Sequence, residues 1–184
     1  MTFAPDKNPV CSMVRSSKLT GEPDAKISPQ GSGIKTMKTY SKRLPLITLK
    51  KTKTDFPCIK IGKSSDANDF VRNFYSDDLE IFESFFILLL NRSNTTIGYA
   101  KISQGGIVGT VIDTTIIAKY CVEALAKSVI LCHNHPSGTL FPSEADKVIT
   151  KKIAEALKVF DCAVLDHIIL TEKSYYSFAD DGSI

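Results

Sequence analysis

The sequence has no apolar segment of the length needed to cross a bilayer. A transmembrane helix requires about 18 or more consecutive apolar residues, whereas the apolar run Ile81–Leu90 is short and interrupted by Glu83 and Ser84. No apolar segment follows the first charged residues at the N-terminus, so the sequence predicts no secretory signal peptide. We therefore expect a cytoplasmic protein that does not insert into a membrane.

Cysteine is also scarce. The five cysteines, Cys11, Cys58, Cys121, Cys132 and Cys162, are odd in number and include no C-x-x-C pair. This excludes a framework of disulfides and a zinc site built from four cysteines. The last four lie in apolar stretches of sequence, which predicts that they are small core residues.

The charge is distributed unevenly along the 184 residues. Residues 1–55 carry 11 Lys or Arg against 4 Asp or Glu, a net charge of +7, and residues 56–184 carry 12 against 16, or −4. Residues 1–36 are rich in proline and glycine and lack apolar periodicity, which is typical of disorder. We predict a basic, disordered arm over 1–55 and one folded domain over 56–184. Such an arm can make weak, non-specific contacts to nucleic acid or can simply be solvated.

The pattern within 56–184 predicts an α/β fold. Short apolar or alternating runs indicate six strands, at Pro57–Ile61, Glu83–Asn91, Thr96–Ser103, Ser128–His133, Ala163–Thr171 and Tyr175–Phe178. Three helices are predicted between them, starting at Ser64–Asp66, Asp113 and Ser143 and ending near Phe74, Ala126 and Phe160. A hairpin over 83–103 makes the sheet mixed, so we expect a three-layer-like mixed sheet flanked by helices.

Residues with metal-binding chemistry are concentrated between Cys132 and Asp146. His133 and His135 are two apart in an extended segment, so both imidazoles project to the same side and can reach one ion. Ser143 and Asp146 are three apart at a helix start, so they share a face that can return towards the histidines. Two histidines and one aspartate leave a fourth tetrahedral position for water, which is the pattern of a catalytic zinc site.

This arrangement resembles the JAMM (JAB/MPN-type) metalloproteases, which combine His-x-His-Pro and Ser-x-x-Asp with a Glu on an earlier strand. Five longer sequence strings resemble the RadC-like branch of this family, whose members carry a DNA-repair label. These strings are Glu83-Ser-Phe-Phe, Ser103-Gln-Gly-Gly, His133-Asn-His-Pro-Ser-Gly, Leu165-Asp-His-Ile-Ile and Tyr176-Ser-Phe. The resemblance covers about residues 57–184. It implies the JAB/MPN architecture, which is similar to that of cytidine deaminases.

The resemblance also implies a role for each matching residue. His133, His135 and Asp146 correspond to the zinc ligands, Glu83 to the general acid/base, and Ser143 to the hydrogen-bond donor for the tetrahedral intermediate. A carboxylate can accept the proton of an activated water, and a hydroxyl can stabilise the forming oxyanion. The implied activity is that of a zinc metallohydrolase of the metallopeptidase or isopeptidase type, with a peptide or isopeptide substrate.

Several residues have a simpler structural explanation. Ser143 and Asp146 match a helix-capping pattern, and an isolated histidine is more often part of a core or loop. Glu80 competes with Glu83 for the role of base, but Glu83 directly precedes the apolar strand, as the family pattern requires. His167 fits a partner of the metal ligands and a core histidine equally well.

Two other functions remain open from the sequence. The domain could be a DNA- or protein-binding accessory module with a structural or vestigial metal, or it could use the same water on a phosphodiester. An intact Glu83 favours the enzyme, because a structural site needs no general base. RadC-like proteins often carry a helix-hairpin-helix segment before this domain, and we expect it to be missing here because nothing helical flanks Gly31-Ser32-Gly33.

Overall fold

A five-stranded mixed sheet forms the centre of the fold. The computed structural model describes residues 50–75, 79–105 and 111–184. The strands are β1 (Ser84–Leu90), β2 (Thr96–Gln104), β3 (Ser128–Asn134), β4 (Ala163–Leu170) and β5 (Tyr175–Ser177), and their order in the sheet is β2-β1-β3-β4-β5.

One helix precedes the sheet, and two helices connect strands within it. They are α1 (Ser64–Val71), followed by a 3-10 turn (Arg72–Phe74), α2 (Thr114–Glu123) and α3 (Glu144–Lys158). β1 is antiparallel to both β2 and β3, and β4 is antiparallel to β5. β3 and β4 are parallel, so the chain must cross over between them, and α3 makes this crossover.

The two faces of the sheet bury separate apolar cores. Phe85, Ile87 and Leu89 of β1 pack in one core with α2 and α3, while Phe86 and Leu88 pack in the other with α1. Alternate residues of a strand point to opposite faces, so a strand covered on both sides must be apolar throughout. All seven residues of β1 are buried. The predicted α/β fold, a mixed sheet between two layers of helices, is confirmed.

The helix starts follow local hydrogen bonding. The Asp113 side chain accepts a hydrogen bond of 2.8 Å from the Thr115 N–H, so Asp113 is the N-cap of α2 as predicted. Ser143 is the N-cap of α3 and bonds reciprocally with Asp146. α1 starts after Lys63, and Asp66 accepts the N–H groups of Gly62 and Lys63 at 2.9 and 3.2 Å.

Three sequence predictions are wrong. Pro57–Ile61 is not a strand; Lys60 forms one isolated bridge with Thr95, because Pro57 has no N–H and the Ile59 N–H donates to the Thr96 hydroxyl at 2.8 Å. The sequence also predicts an apolar stripe on α2 made of Ile116, Ile117, Tyr120, Cys121 and Leu125, but Leu125 lies beyond the helix end with φ 54° and is 82% exposed.

The third correction concerns Cys58, which is exposed, although Cys121, Cys132 and Cys162 are buried as predicted. Cys58 lies in a segment that is not part of any strand of the described sheet, which leaves its side chain outside the core. The predicted arm lies outside the described residues except for 50–55, which are exposed. None of the helices described is long and apolar enough to span a bilayer.

Candidate metal centre

The predicted ligands His133, His135 and Asp146 bring their side chains together. The Nε2 atoms of the two histidines are 2.9 Å apart. Asp146 Oδ1 lies 3.2 Å from Nε2 of His133, and Asp146 Oδ2 lies 3.5 Å from Nε2 of His135. Among residues 50–75, 79–105 and 111–184, this is the one group of three His, Cys, Asp or Glu side chains with ligand atoms so close together.

The distances between these atoms fit the geometry of zinc. Ligand atoms around a tetrahedral zinc with bonds of about 2.0–2.2 Å are about 3.3–3.6 Å apart. The observed separations of 2.9, 3.2 and 3.5 Å are close to that range. Two imidazole nitrogens and a carboxylate are also ligands that zinc commonly takes, and they leave one tetrahedral position open.

The backbone around His135 keeps both imidazoles on one side. β3 ends at Asn134, but the His135 N–H continues the ladder by donating to the Leu170 carbonyl at 2.8 Å. His135 Nδ1 lies 2.6 Å from the Thr139 carbonyl, which can only accept, so Nδ1 carries the proton. In the neutral ring the lone pair is therefore on Nε2, the atom that faces His133 and Asp146.

Asp146 reaches the histidines from the first turn of α3. The Ser143 backbone N–H and hydroxyl both donate to Asp146 Oδ2, at 2.7 and 2.6 Å. The Asp146 N–H in turn donates to Ser143 Oγ at 3.2 Å. The capping pattern and the proposed ligand role thus coexist: the cap occupies Oδ2, while Oδ1 faces His133.

The electrostatics of the cluster favour a cation. Burial is the largest single influence and raises the pKa of Asp146, but the hydrogen bonds to His133, His135 and Ser143, together with electrostatic attraction to His133, hold the pKa well below its usual range. The hydrogen bond to Asp146 is the largest cause of the raised pKa of His135, with burial opposing it and Thr139 and Glu83 contributing in the same direction. The carboxylate is therefore ionised at neutral pH and available as a ligand.

Glu83 directly precedes β1, whereas Glu80 lies further from the strand and is exposed. β1 and β3 pair Phe85 with His133, so continuing this register by two residues places Glu83 opposite His135. Glu83 is half-buried, and its charge contributes to raising the pKa of His135. These observations favour Glu83 over Glu80 as the candidate base.

A model of the RadC-like JAB domain family matches residues 61–183, well over half of the chain. This chain belongs to the RadC-like JAB domain family. The matched range contains all five predicted site residues, from Glu83 to Asp146. The five-stranded sheet and its flanking helices described above are therefore the RadC-like JAB fold of this protein.

Curated relatives support the same family. A UPF0758 protein of Flavobacterium johnsoniae is 53% identical over 100 residues, which cover 54% of this chain and 44% of that protein. One from Fusobacterium nucleatum is 35% identical over 130 residues, covering 71% and 55%. UPF0758 protein YfjY of Escherichia coli is 40% identical over 100 residues, covering 54% and 62%. The chain spans about half the length of the curated relatives it matches, and their names state no activity.

The RadC-like JAB domain also contains site-supporting residues that the sequence did not identify. Asn134 donates to the carbonyls of Leu79 and Phe82 at 2.5 and 2.8 Å and accepts from the Ser84 N–H at 2.8 Å. It therefore holds both sides of Glu83. Asn134 lies between the two predicted ligand histidines, but nothing in its spacing indicates a partner some 50 residues away.

Thr150 and His167 extend the cluster behind His133. His167 Nε2 lies 2.8 Å from His133 Nδ1, and His167 Nδ1 lies 2.6 Å from Thr150 Oγ1. This contact resolves the open question about His167: it is a direct partner of a predicted ligand. The sequence does carry a signal for Thr150, which lies four residues after Asp146 and hence on the same helical face.

Proposed function

We propose that this RadC-like JAB domain is a zinc-dependent hydrolase that cleaves amide or isopeptide bonds. The observation that supports this most strongly is the convergence of His133 Nε2, His135 Nε2 and the Asp146 carboxylate beside Glu83. A purely structural zinc usually has four protein ligands, whereas three ligands and a nearby carboxylate are typical of hydrolases.

The reaction divides into roles for this chain's own residues. When bound, zinc supplies Lewis acidity and lowers the pKa of a coordinated water towards about 7. Glu83 accepts the proton of the attacking water and returns it to the leaving nitrogen. His133, His135 and Asp146 would hold the ion. Phe85, whose ring stacks on His133 with centroids 5.9 Å apart, packs against one side of that ligand.

Ser143 has two roles in this proposal. Its hydroxyl donates to Asp146 Oδ2 at 2.6 Å and so fixes the ligand. Since a hydroxyl has one proton, stabilising a tetrahedral oxyanion requires it to turn from Asp146 towards the substrate. The Ser143 backbone N–H, at 2.7 Å from the same carboxylate oxygen, keeps Asp146 in place when the hydroxyl turns.

The decisive experiment compares Glu83→Gln with Glu80→Gln and wild type. Zinc content is measured first, and each protein is then incubated with an unbiased peptide library and an isopeptide-linked library, with cleavage read by mass spectrometry. We expect Glu83→Gln to retain zinc and to lose about 10²–10⁴-fold in rate. Glu80, which is exposed, should be replaceable without effect. A zinc-loaded Glu83→Gln protein that cleaves at the wild-type rate would refute the mechanism.

The charge of residues 1–55 supports a second, separate proposal. A net charge of +7 on this segment favours weak, sequence-independent attraction to nucleic acid. We propose that any nucleic-acid contact of this protein is made through these residues and not through the metal centre. Binding and hydrolysis can coexist, since they use different parts of the chain.

A further inference from the structure

A continuous chain of hydrogen bonds runs from the predicted ligand His133 to the backbone of another predicted ligand, Asp146. His133 Nδ1 lies 2.8 Å from His167 Nε2, and His167 Nδ1 lies 2.6 Å from Thr150 Oγ1. The Thr150 hydroxyl donates to the Asp146 carbonyl at 2.5 Å. His133, His167 and Thr150 are 1%, 0% and 3% exposed, so water does not compete for these contacts.

The chemistry of the groups determines which atom donates and which accepts in each of these hydrogen bonds. A carbonyl only accepts, so the single hydroxyl proton of Thr150 is used on the Asp146 carbonyl, as is common for threonine inside a helix. Thr150 Oγ1 therefore accepts from His167 Nδ1. The His167 side chain is fully buried, and neither of its two hydrogen-bond partners, the His133 ring and the Thr150 hydroxyl, has a negative charge that would offset a buried cation, so the ring is neutral and has one N–H.

Because that N–H is on Nδ1, His167 Nε2 can only accept. His133 must then carry a proton on Nδ1, which donates to His167. In the neutral form of His133 this leaves the lone pair on Nε2, the atom that faces His135 Nε2 at 2.9 Å and Asp146 Oδ1 at 3.2 Å.

We infer that His167, oriented by Thr150, is a positioning residue that holds His133 in the Nδ1–H tautomer, with its Nε2 lone pair directed at the metal. This inference rests on the proposed zinc centre. Histidine ligands usually donate to a carboxylate, a carbonyl or water. Here a second histidine takes that role. The series of hydrogen bonds ends on the turn of α3 that contains Asp146, so the predicted ligands on β3 and α3 are oriented by the same hydrogen bonds.

Packing against aromatic rings keeps His167 in this orientation. The Phe178 ring stacks on the His167 ring with centroids 4.9 Å apart, and Phe85 contacts it edge-on at 5.6 Å. A histidine that merely filled the core would need these contacts but not the two directed hydrogen bonds. A leucine could supply the packing, whereas the hydrogen-bond acceptor at Nε2 requires a polar side chain.

Two matched pairs of variants in the full chain separate positioning from packing. His167→Leu removes the acceptor, while His167→Gln places an amide oxygen where it can accept from His133. Thr150→Val removes the hydroxyl, while Thr150→Ser keeps it. Zinc affinity is measured by competition with a chelator, and folding by thermal denaturation. We expect zinc affinity about 10–100-fold lower in His167→Leu. Thr150→Val should show a smaller loss, and both conservative variants should lie close to wild type.

A control accounts for stability. Ile153 is buried on α3 one turn after Thr150, so Ile153→Val loosens the same core without touching the hydrogen bonds. It should lower the melting temperature and leave zinc affinity unchanged. His167→Leu with wild-type affinity would overturn the inference, as would equal losses in His167→Gln and His167→Leu. If His167→Leu does not fold, Thr150→Val against Thr150→Ser decides the question.

A second measurement requires no metal. The 15N NMR shifts of imidazole distinguish a protonated from a bare nitrogen, so spectra of the chain in chelator identify the tautomer of His133 directly. We expect a protonated Nδ1 in wild type and in His167→Gln, and a loss of this preference in His167→Leu. A bare Nδ1 in the wild type overturns the inference. A wild type that binds no zinc but shows the expected tautomer refutes the proposed function and leaves the hydrogen-bond chain intact.

Discussion

The Asn134 side chain accepts a hydrogen bond of 2.8 Å from the backbone N–H of Ser84, the residue after the candidate base. The same amide donates to the Phe82 carbonyl on the other side at 2.8 Å. Asn134 is fully buried and lies in sequence between His133 and His135, the two predicted ligands. Its side chain therefore holds the backbone on both sides of Glu83.

The first prediction follows from this contact. Asn134→Ala leaves buried backbone groups of residues 79–84 without partners, and each such group costs about 1–3 kcal/mol. We expect lower stability, retained zinc, and a rate reduced by about 10–100-fold because Glu83 is displaced. Asn91→Ala is the matched control, since Asn91 bonds the turn at the other end of β1. Denaturation and peptide cleavage of both variants test this, and an Asn134→Ala enzyme of unchanged rate would contradict it.

The second prediction concerns zinc content. Purified protein should contain about one zinc per chain, and His135→Ala should lose most of it, because two ligands remain. Glu144→Gln is the control: it is an exposed carboxylate on the same helix turn as Asp146 and pairs with Lys147 at 2.6 Å. Elemental analysis after dialysis against zinc at neutral pH provides the measurement. A wild type that takes up no metal would rule out the centre.

Ser143→Ala separates catalysis from capping. Loss of the cap should lower stability by about 1 kcal/mol, and loss of the oxyanion donor should lower the rate by about 10²–10³-fold with zinc retained. Asp113→Ala removes the N-cap of α2, away from the predicted ligands, and controls for stability alone. If the two variants lose activity equally, Ser143 acts only as a cap.

The fourth prediction is a pH dependence that changes sign with zinc. Without zinc, the raised pKa of His135 means that its pairing with Asp146 stabilises the fold at low pH. This stabilisation is complete below the unfolded pKa, about 6.5, and is lost as pH rises through the folded pKa of His135. Zinc binds the deprotonated ring, so stabilisation by zinc should instead increase with pH over the same interval.

Thermal denaturation between pH 6 and 9, with chelator and with excess zinc, measures both trends. The lowered pKa of Asp146 contributes no slope in this interval, because its carboxylate is ionised throughout. If the melting temperature changes with pH in the same way with and without zinc, His135 does not exchange a proton for the metal.

The last prediction concerns the basic segment. Binding to duplex DNA should be weak, independent of sequence, and lost steeply between low and physiological salt. Replacing Lys35, Lys38, Lys42 and Arg43 by glutamine should reduce both the affinity and the salt slope. The matched control replaces Lys151, Lys152, Lys158 and Lys173, all exposed in the folded part. Fluorescence anisotropy across a salt series is the measurement, and equal effects of both sets would reject the assignment.

The sequence determined those features whose physical causes act over a few residues. The apolar run Phe85–Leu90, which makes up β1 after Ser84, required a strand covered on both faces. Asp113 and Ser143 marked helix starts because their side chains bond to N–H groups two and three residues ahead. The two-residue spacing of His133 and His135 placed both rings on one side of a strand.

The tertiary structure determined those features that depend on which strands are neighbours in the sheet. Local pattern suggested that Pro57–Ile61 was a strand and Cys58 a core residue, but within the described parts of the chain this segment forms only one isolated bridge. The register between β1 and β3, which pairs residues about 50 apart in sequence, places Glu83 and not Glu80 opposite His135.

The partner of His133 is the clearest case. His167 lies 34 residues away, and it reaches His133 because β3 and β4 are neighbours in the sheet. Periodicity and capping act within one or two turns of chain, so the sequence alone could indicate that His133, His135 and Asp146 lie close together. Which groups orient those ligands depends on the pairing of distant strands, and this is decided only when the whole sheet has formed.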